Sequence, residues 1–254
     1  MIVIPELDVR QLSSPMGRAS PLTKLLVGFA WLAALIATTD PRPTLVILAA
    51  GIAAAVGLGR VPPRRFLRAW LPFLAAAAGV VLLNTLLGAA NRDPAARELF
   101  GLGPLRITGP ALATGVVLGL RILAIAGVGV AFAQTTEATT LADALVQQAR
   151  LQDRFAYGAL AAYQAVPRLS LDLATLRQAR RIRGLDRSWS PGLLLGLLVL
   201  ALRHADRMAL AMDARGFDTG APRSRYRVLR AGVADLLVAG LGAATLVVAI
   251  AVAR

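Results

Sequence analysis

Cysteine is absent from the 254 residues, histidine occurs once, and aromatic side chains make up only 5%. Without cysteine there is no disulfide, no thiolate metal site and no thiol nucleophile. The lone His204 lies near a switch from apolar to charged sequence and is read as incidental, since a metal centre needs several ligands. So few aromatics leave no stacking platform for bases. No glycine-lysine phosphate loop is present, so the chain is not expected to hydrolyse ATP. Met1 to Ser20 is polar, contains prolines and has no apolar core segment, so no cleavable signal peptide is expected. Acidic residues are few as well, 14 against 28 Lys and Arg, for a net charge of +14.

What the chain has in abundance is apolar surface: 57% hydrophobic residues and a mean hydropathy of +0.64. That exceeds the soluble norm, in which apolar residues and glycine make up about half. A charge of +14 on a soluble domain would suggest nucleic acid. Here the arginines lie between apolar runs, so the positive-inside rule accounts for them and no nucleic-acid partner is expected.

Five runs read as membrane spans: about Leu22 to Thr39, Thr44 to Gly59, Ala69 to Ala90, Pro110 to Ala133, and Val228 to Ala253. Roughly 20 apolar residues cross a bilayer core, so four are comfortable and the second is short. Ser20-Pro21 is a helix start, an N-cap with proline at the first helical position. A polar loop is expected from Asn91 to Gly109. Arg60 to Arg68 carries four arginines and no acid, whereas the loops at Asp40-Arg42 and Asn91-Arg106 are nearly balanced. This puts the amino terminus, the Arg60 loop and the long insert on the inner side of the membrane, with the carboxyl terminus outside. The expected class is all-α integral membrane, with a four-span block at 1–133, cytoplasmic helices at 134–227, and a final span at 228–254.

The insert predicts three helices. One runs from Leu141 to Arg150. A second starts near Asp153 as N-cap and reaches Arg183, with a bend at Pro167. The third has Ser190 as N-cap and Pro191 at its first position, and runs to Arg215 with Gly216 as C-cap. Its apolar front half, Leu193 to Leu202, is too short to cross, and crossing would export the basic segment Arg223 to Arg230. It therefore reads as a helix lying against the bundle or the interface.

The last two helices end on the same phrase, Arg183-Gly184-Leu185-Asp186 and Arg215-Gly216-Phe217-Asp218. Arginine meets the negative end of the helix dipole there, and glycine is the usual left-handed cap. With Ala214 before the second phrase and the approach Arg207-Met208-Ala209-Leu210-Ala211-Met212-Asp213, these endings resemble the paired Ala-Arg-Gly signatures of the transmembrane T component (EcfT/CbiQ type) of energy-coupling factor (ECF) ABC transporters. The entry Pro21-Leu22-Thr23-Lys24-Leu25-Leu26 is also similar. The first signature departs from the pattern, reading Ile182-Arg183-Gly184.

The resemblance implies a non-catalytic coupling subunit for vitamin or metal-ion uptake. It would lie between two cytoplasmic ABC ATPases, which bind the ATP, and a separate substrate-binding membrane S component. Arg183, Gly184, Ala214, Arg215 and Gly216 would dock in grooves on the ATPases and pass on their motion, and the chain would hold no cofactor of its own. Cobalt, nickel, biotin, thiamine precursors and riboflavin all remain open as substrates. Physically, a guanidinium fork suits carboxylates and helix-end carbonyls.

Other features are read from the residues alone. Met208 and Met212 share a face with Arg215, as a packing stripe or a partner surface. Arg177, Arg180 and Arg181 read as a solvated or headgroup-facing surface. Arg121, at mid-span, must face protein or water. It could pair with Asp235, although their depths differ. Asn84 could be interhelical glue, and Gly115-xxx-Gly119 permits close helix contact or a sliding surface for the S component. A membrane enzyme lacks clustered acid–base or metal residues. A secondary transporter would show repeated halves with broken helices, which this order of spans lacks. A membrane scaffold is a further alternative.

Overall fold

The computed structural model describes residue 11 and residues 13–38, 40–92, 96–102, 105–185, 190–217 and 227–253. The chain divides into two units: Leu7–Glu137 with Arg230–Arg254, and Met1–Glu6 with Ala138–Leu229. Asp186 and Asp218, the fourth letters of the repeated phrase, lie outside the described residues, as do 223–226 of the basic segment.

The first unit is a bundle of apolar helices. After a short turn α1 (Pro15–Arg18) come α2 (Pro21–Ala37) and α3 (Pro41–Ala53), which runs on as a π-helical turn, Ala54–Leu58. Next are α4 (Pro63–Leu87), α5 (Gly109–Thr135) and, after the insert, a final helix, Val233–Val252. Proline stands at the first position of α1, α2, α3 and α4, where its missing N–H costs nothing. Ser20 caps α2 and Asp40 caps α3, the carboxylate accepting from Arg42 N at 3.1 Å.

Among the described residues four helices are long and apolar enough to cross a membrane: Pro41–Leu58, Pro63–Asn91, Gly109–Thr135 and Val233–Val252. The first of the five expected spans, α2, has 17 residues and falls below that length. It reaches about 25 Å at 1.5 Å per residue, the lower edge of what a span needs. The expected loop before α5 instead contains a hairpin, β1 (Glu98–Leu102) paired antiparallel with β2 (Leu105–Thr108). Arg106 bridges to Glu98 across it. Thr108 then caps α5 while its N–H and hydroxyl both meet the Asn91 side-chain oxygen at 3.0 Å.

Trp31, Leu35, Ile47, Ala124, Val128 and Ala249 form the core between α2, α3, α5 and the last helix. Large apolar side chains such as Leu82, Leu83 and Leu87 of α4 point outward, as suits a helix whose solvent is hydrocarbon. Helices α4 and α5 touch through the small-residue stripe. A Cβ on Gly115 would stand 3.0 Å from the Val81 carbonyl oxygen, and one on Gly119 2.6 Å from Val81 Cγ2. The stripe is thus filled by the protein's own packing, and the sliding-surface reading loses its support.

Three intramembrane expectations are corrected. Arg121 does not pair with Asp235; its guanidinium donates to the Thr38 carbonyl at the end of α2. The last helix begins at Val233, not Val228, so Asp235 sits in its first turn. There its carboxylate accepts from Gly232 N at 2.8 Å and from Ser20 N at 2.6 Å. Asn84 donates its amide to Val80 O of its own helix at 3.0 Å, so it forms no glue between helices. Arg121 and Asp235 thus meet backbone groups left open at helix ends, because an unpaired backbone group in a bilayer is expensive.

Among the described residues the second unit holds three helices: α6 (Ala138–Gln147), α7 (Asp153–Ile182) and α8 (Pro191–Ala214). With these in place the final helix, Val233–Val252, is α9. Helix α7 continues through Pro167, and the Ser170 hydroxyl donates to the Pro167 carbonyl at 2.6 Å. Its N-cap is Gln152, one residue before the expected Asp153. Ser190 stands at the N-cap of α8 but makes no side-chain capping bond.

Candidate functional site

The two repeated phrases fold into the same object. Helix α7 ends at Ile182 with Arg183 as C-cap and Gly184 at φ +72°; α8 ends at Ala214 with Arg215 as C-cap and Gly216 at φ +70°. At the first, Gly184 N donates to Arg181 O (3.0 Å) and Leu185 N to Arg180 O (3.1 Å). At the second, Gly216 N donates to Asp213 O (2.9 Å) and Phe217 N to Met212 O (3.0 Å). Both are complete Schellman motifs, in which glycine supplies the left-handed turn and two otherwise orphaned carbonyls are satisfied.

The arginines close their helices from the cap position, not from the last turn. Both are exposed, as are Gly184 and Ala214, with Gly216 half-buried. Ile182, the departure from the Ala-Arg-Gly pattern, is 88% exposed, so the first tip presents a large bare apolar side chain beside its guanidinium.

Contacts along α7 and α8 fix where the tips stand within this unit. Leu176 packs on Gly196, with 3.6 Å to a Cβ built there, and Arg180 reaches Gly192. The end of α7 therefore lies beside the start of α8. At the other extreme, the Phe217 ring meets Tyr157 of the first turns of α7 edge-on, centroids 6.4 Å apart. The pair runs antiparallel, and the tips stand at opposite ends of it, separated by roughly the 24-residue length of α8, about 36 Å at 1.5 Å per residue.

Sequence reasoning missed the residues that brace Phe217 and those that hold the chain as it returns at Arg227 to Leu229. Tyr157 donates its hydroxyl to Asp143 of α6 at 2.8 Å, so Phe217 rests on a ring that is itself held. Gln147 of α6 grips the returning chain with both ends of its amide, donating to Arg227 O (2.7 Å) and accepting from Leu229 N (2.9 Å). These pairs are 80 or more residues apart, or lie on different helices, and no local pattern announces them. Met208 and Met212 are half-buried and His204 likewise, which fits a packing stripe. Arg177 and Arg181 are exposed and Arg180 half-buried. Among the described residues no group of three or more His, Cys, Asp or Glu could hold a metal ion.

The model of a family described as cobalt transport protein, CbiQ, matches residues 13–226. The energy-coupling factor transporter transmembrane protein EcfT of Limosilactobacillus fermentum is 24% identical over 234 residues, 85% of each chain. That of Thermosediminibacter oceani is 27% identical over 246 residues, 88% of each. A protein of Bifidobacterium longum named as an ABC transporter ATP-binding protein is 26% identical over 247 residues. That match takes in 89% of this chain, which spans only 30% of the longer relative.

Proposed function

Since the chain belongs to the CbiQ family of cobalt transport proteins, we propose that it is the coupling subunit of an ECF-type importer. In this reading it joins two cytoplasmic ABC ATPases to a separate substrate-binding membrane subunit. The observation that carries it is the pair of matched Schellman tips at opposite ends of one antiparallel helix pair. Two like plugs about 36 Å apart cannot enter one groove, and they suit a partner that is itself double.

The Bifidobacterium relative adds support of another kind. A single protein named for ATP binding carries a segment like nearly all of this chain, with 70% of its length left over. Parts that occur in one polypeptide in one organism are natural partners when encoded separately.

The mechanism follows from stiffness and chemistry. ATP stays with the ATPases, and this chain does no hydrolysis. Each guanidinium offers five donors in a fixed fork to the carboxylates and helix-end carbonyls of a groove, with Ile182 or Ala214 supplying apolar contact. Closure of the ATPase pair draws the tips, and α7 and α8, continuous over 30 and 24 residues, carry the displacement as rigid bodies. The moved helices then bias the substrate-binding subunit toward its other orientation. That subunit selects the cargo, a vitamin or a metal ion. The insert and the arginine-rich turn after α3 face the cytoplasm, following their charge.

The test is co-purification of the full chain with the ATPases encoded in its genome, comparing wild type with Arg183→Glu, Arg215→Glu and the double reversal. A hydrogen bond to a charged group is worth about 1.5–3 kcal/mol, so each single reversal should weaken retention by about 10- to 100-fold. Retention indifferent to both arginines would reduce the tips to helix caps and sink the proposal.

A further inference from the structure

Lys24 is the only lysine in the chain; the other 27 basic residues are arginine. It is 5% exposed. Its ammonium donates to Thr135 O at 2.7 Å, at the end of α5, and makes no other hydrogen bond among the described residues. An ammonium has three donors, and a buried cation so thinly partnered is costly. Asp235 attracts it electrostatically, but that carboxylate is held by Ser20 N and Gly232 N.

The same lysine lines a cavity of about 490 Å³, within the ~300–1,000 Å³ range of ligand sites. The cavity runs along four helices of the membrane unit. On α2 it extends from Lys24 to Leu32, on α3 and its π turn from Leu58 to Ala50, on α5 from Phe132 to Ile125, and on α9 from Val238 to Thr245. Each stretch is eight or nine residues, so the space is a slot about 12 Å long, parallel to the helices. Its wall is otherwise apolar or already satisfied: the Trp31 indole donates to Gly242 O and the Thr245 hydroxyl to Leu241 O. Lys24 stands at the end where α2 and α9 begin and α3 and α5 finish.

A narrow apolar slot in a bilayer protein, with one under-partnered cation at its interfacial end, has the shape and charge of an amphiphile. We propose that it binds an anionic phospholipid, one acyl chain lying in the slot and the phosphate on Lys24. The surrounding solvent supplies the chain, and the ammonium selects the headgroup. The inference needs only the membrane location and stands whether or not the coupling assignment does.

Trp31 lines the slot and reports on it. The full chain, with Trp70→Phe and Trp189→Phe, is placed in phosphatidylcholine nanodiscs. Either phosphatidylglycerol or phosphatidylcholine with brominated acyl chains is then titrated in. Brominated phosphatidylglycerol should quench Trp31 at about fivefold lower mole fraction, the factor one lysine near a headgroup supplies. A Cβ on Gly129, in the slot wall, meets nothing within 4 Å. Gly129→Phe should therefore plug the space without strain and abolish the saturable quenching. Lys24→Met should erase the headgroup preference, and Lys24→Arg should keep most of it. Equal quenching by the two lipids in the parent chain overturns the proposal, as does quenching that survives Gly129→Phe. Absence of saturable quenching by either lipid, with Trp31 emission shifting only when a purified substrate-binding membrane partner is added, would assign the slot to that protein and overturn the proposal. The lipid comparison in the parent chain and Gly129→Phe keep the test decisive if Lys24→Met fails to fold.

Discussion

Gly184→Ala isolates the shape of a tip from its charge. Gly184 sits at φ +72°, and a Cβ there would meet nothing within 4 Å, so the substitution brings no clash and only backbone strain. A left-handed conformation costs an L-residue about 1–2 kcal/mol. The chain can bear that strain, or it can relax and lose the bonds from Gly184 N and Leu185 N, at about 0.5–1.5 kcal/mol each. Either way the docked geometry should become harder to reach by about 1–2 kcal/mol, a weakening of roughly 5- to 30-fold in affinity for the ATPase pair. Gly184→Asn should lose much less, because asparagine tolerates the left-handed region. Gly158→Ala is the control: Gly158 lies inside α7 with open space around it, so alanine there should be neutral or stabilising. The assay is equilibrium binding of the purified ATPases to the detergent-solubilised full chain. If alanine and asparagine at 184 bind alike, or alanine at 184 behaves as at 158, the left-handed turn is not part of the docking surface.

Two further outcomes concern the membrane unit. A double-mutant cycle on Arg121→Met and Asp235→Asn should be additive within about 0.5 kcal/mol by thermal unfolding in detergent, since the two side chains meet different backbone groups. A larger coupling would restore the ion pair between them. Gly119→Leu should destabilise by about 1–3 kcal/mol, because its Cβ would fall 2.6 Å from Val81 Cγ2, whereas Gly79→Leu, with nothing within 4 Å, should be tolerated.

The parts of this protein that could be read from sequence are those governed by neighbours in the chain. Ser20-Pro21 and Ser190-Pro191 mark helix starts, and Gly184 and Gly216 mark ends, because caps are made within one turn. The apolar runs of α4, α5 and α9 are legible because the bilayer demands length and apolarity. The partners of polar groups are not legible. Arg121 and Asp235 look like a natural pair, yet each finds a backbone partner that depends on where α2 ends or where α9 begins. A shift of five residues in the start of α9, from 228 to 233, is enough to move Asp235 from about two turns inside the helix to a capping position in its first turn. Asn84 turns back to its own helix, an option every intramembrane amide has. The Tyr157–Asp143 and Gln147–Leu229 contacts, and the slot beside Lys24, arise only when distant helices assemble.

The two tips share a backbone but not a footing. Phe217 is half-buried against the held ring of Tyr157, whereas Leu185, in the same position of the other motif, is 53% exposed. Freezing an exposed side chain on contact carries an entropic penalty of about 0.5–1.5 kcal/mol; both arginines incur it, but for the residue after the glycine it falls on the Arg183 end alone. In the docking proposed above, the Arg215 end arrives preorganised and the Arg183 end is ordered by its partner. Assembly then has a sequence, Arg215 end first, and even two identical ATPases become inequivalent once this chain has joined them.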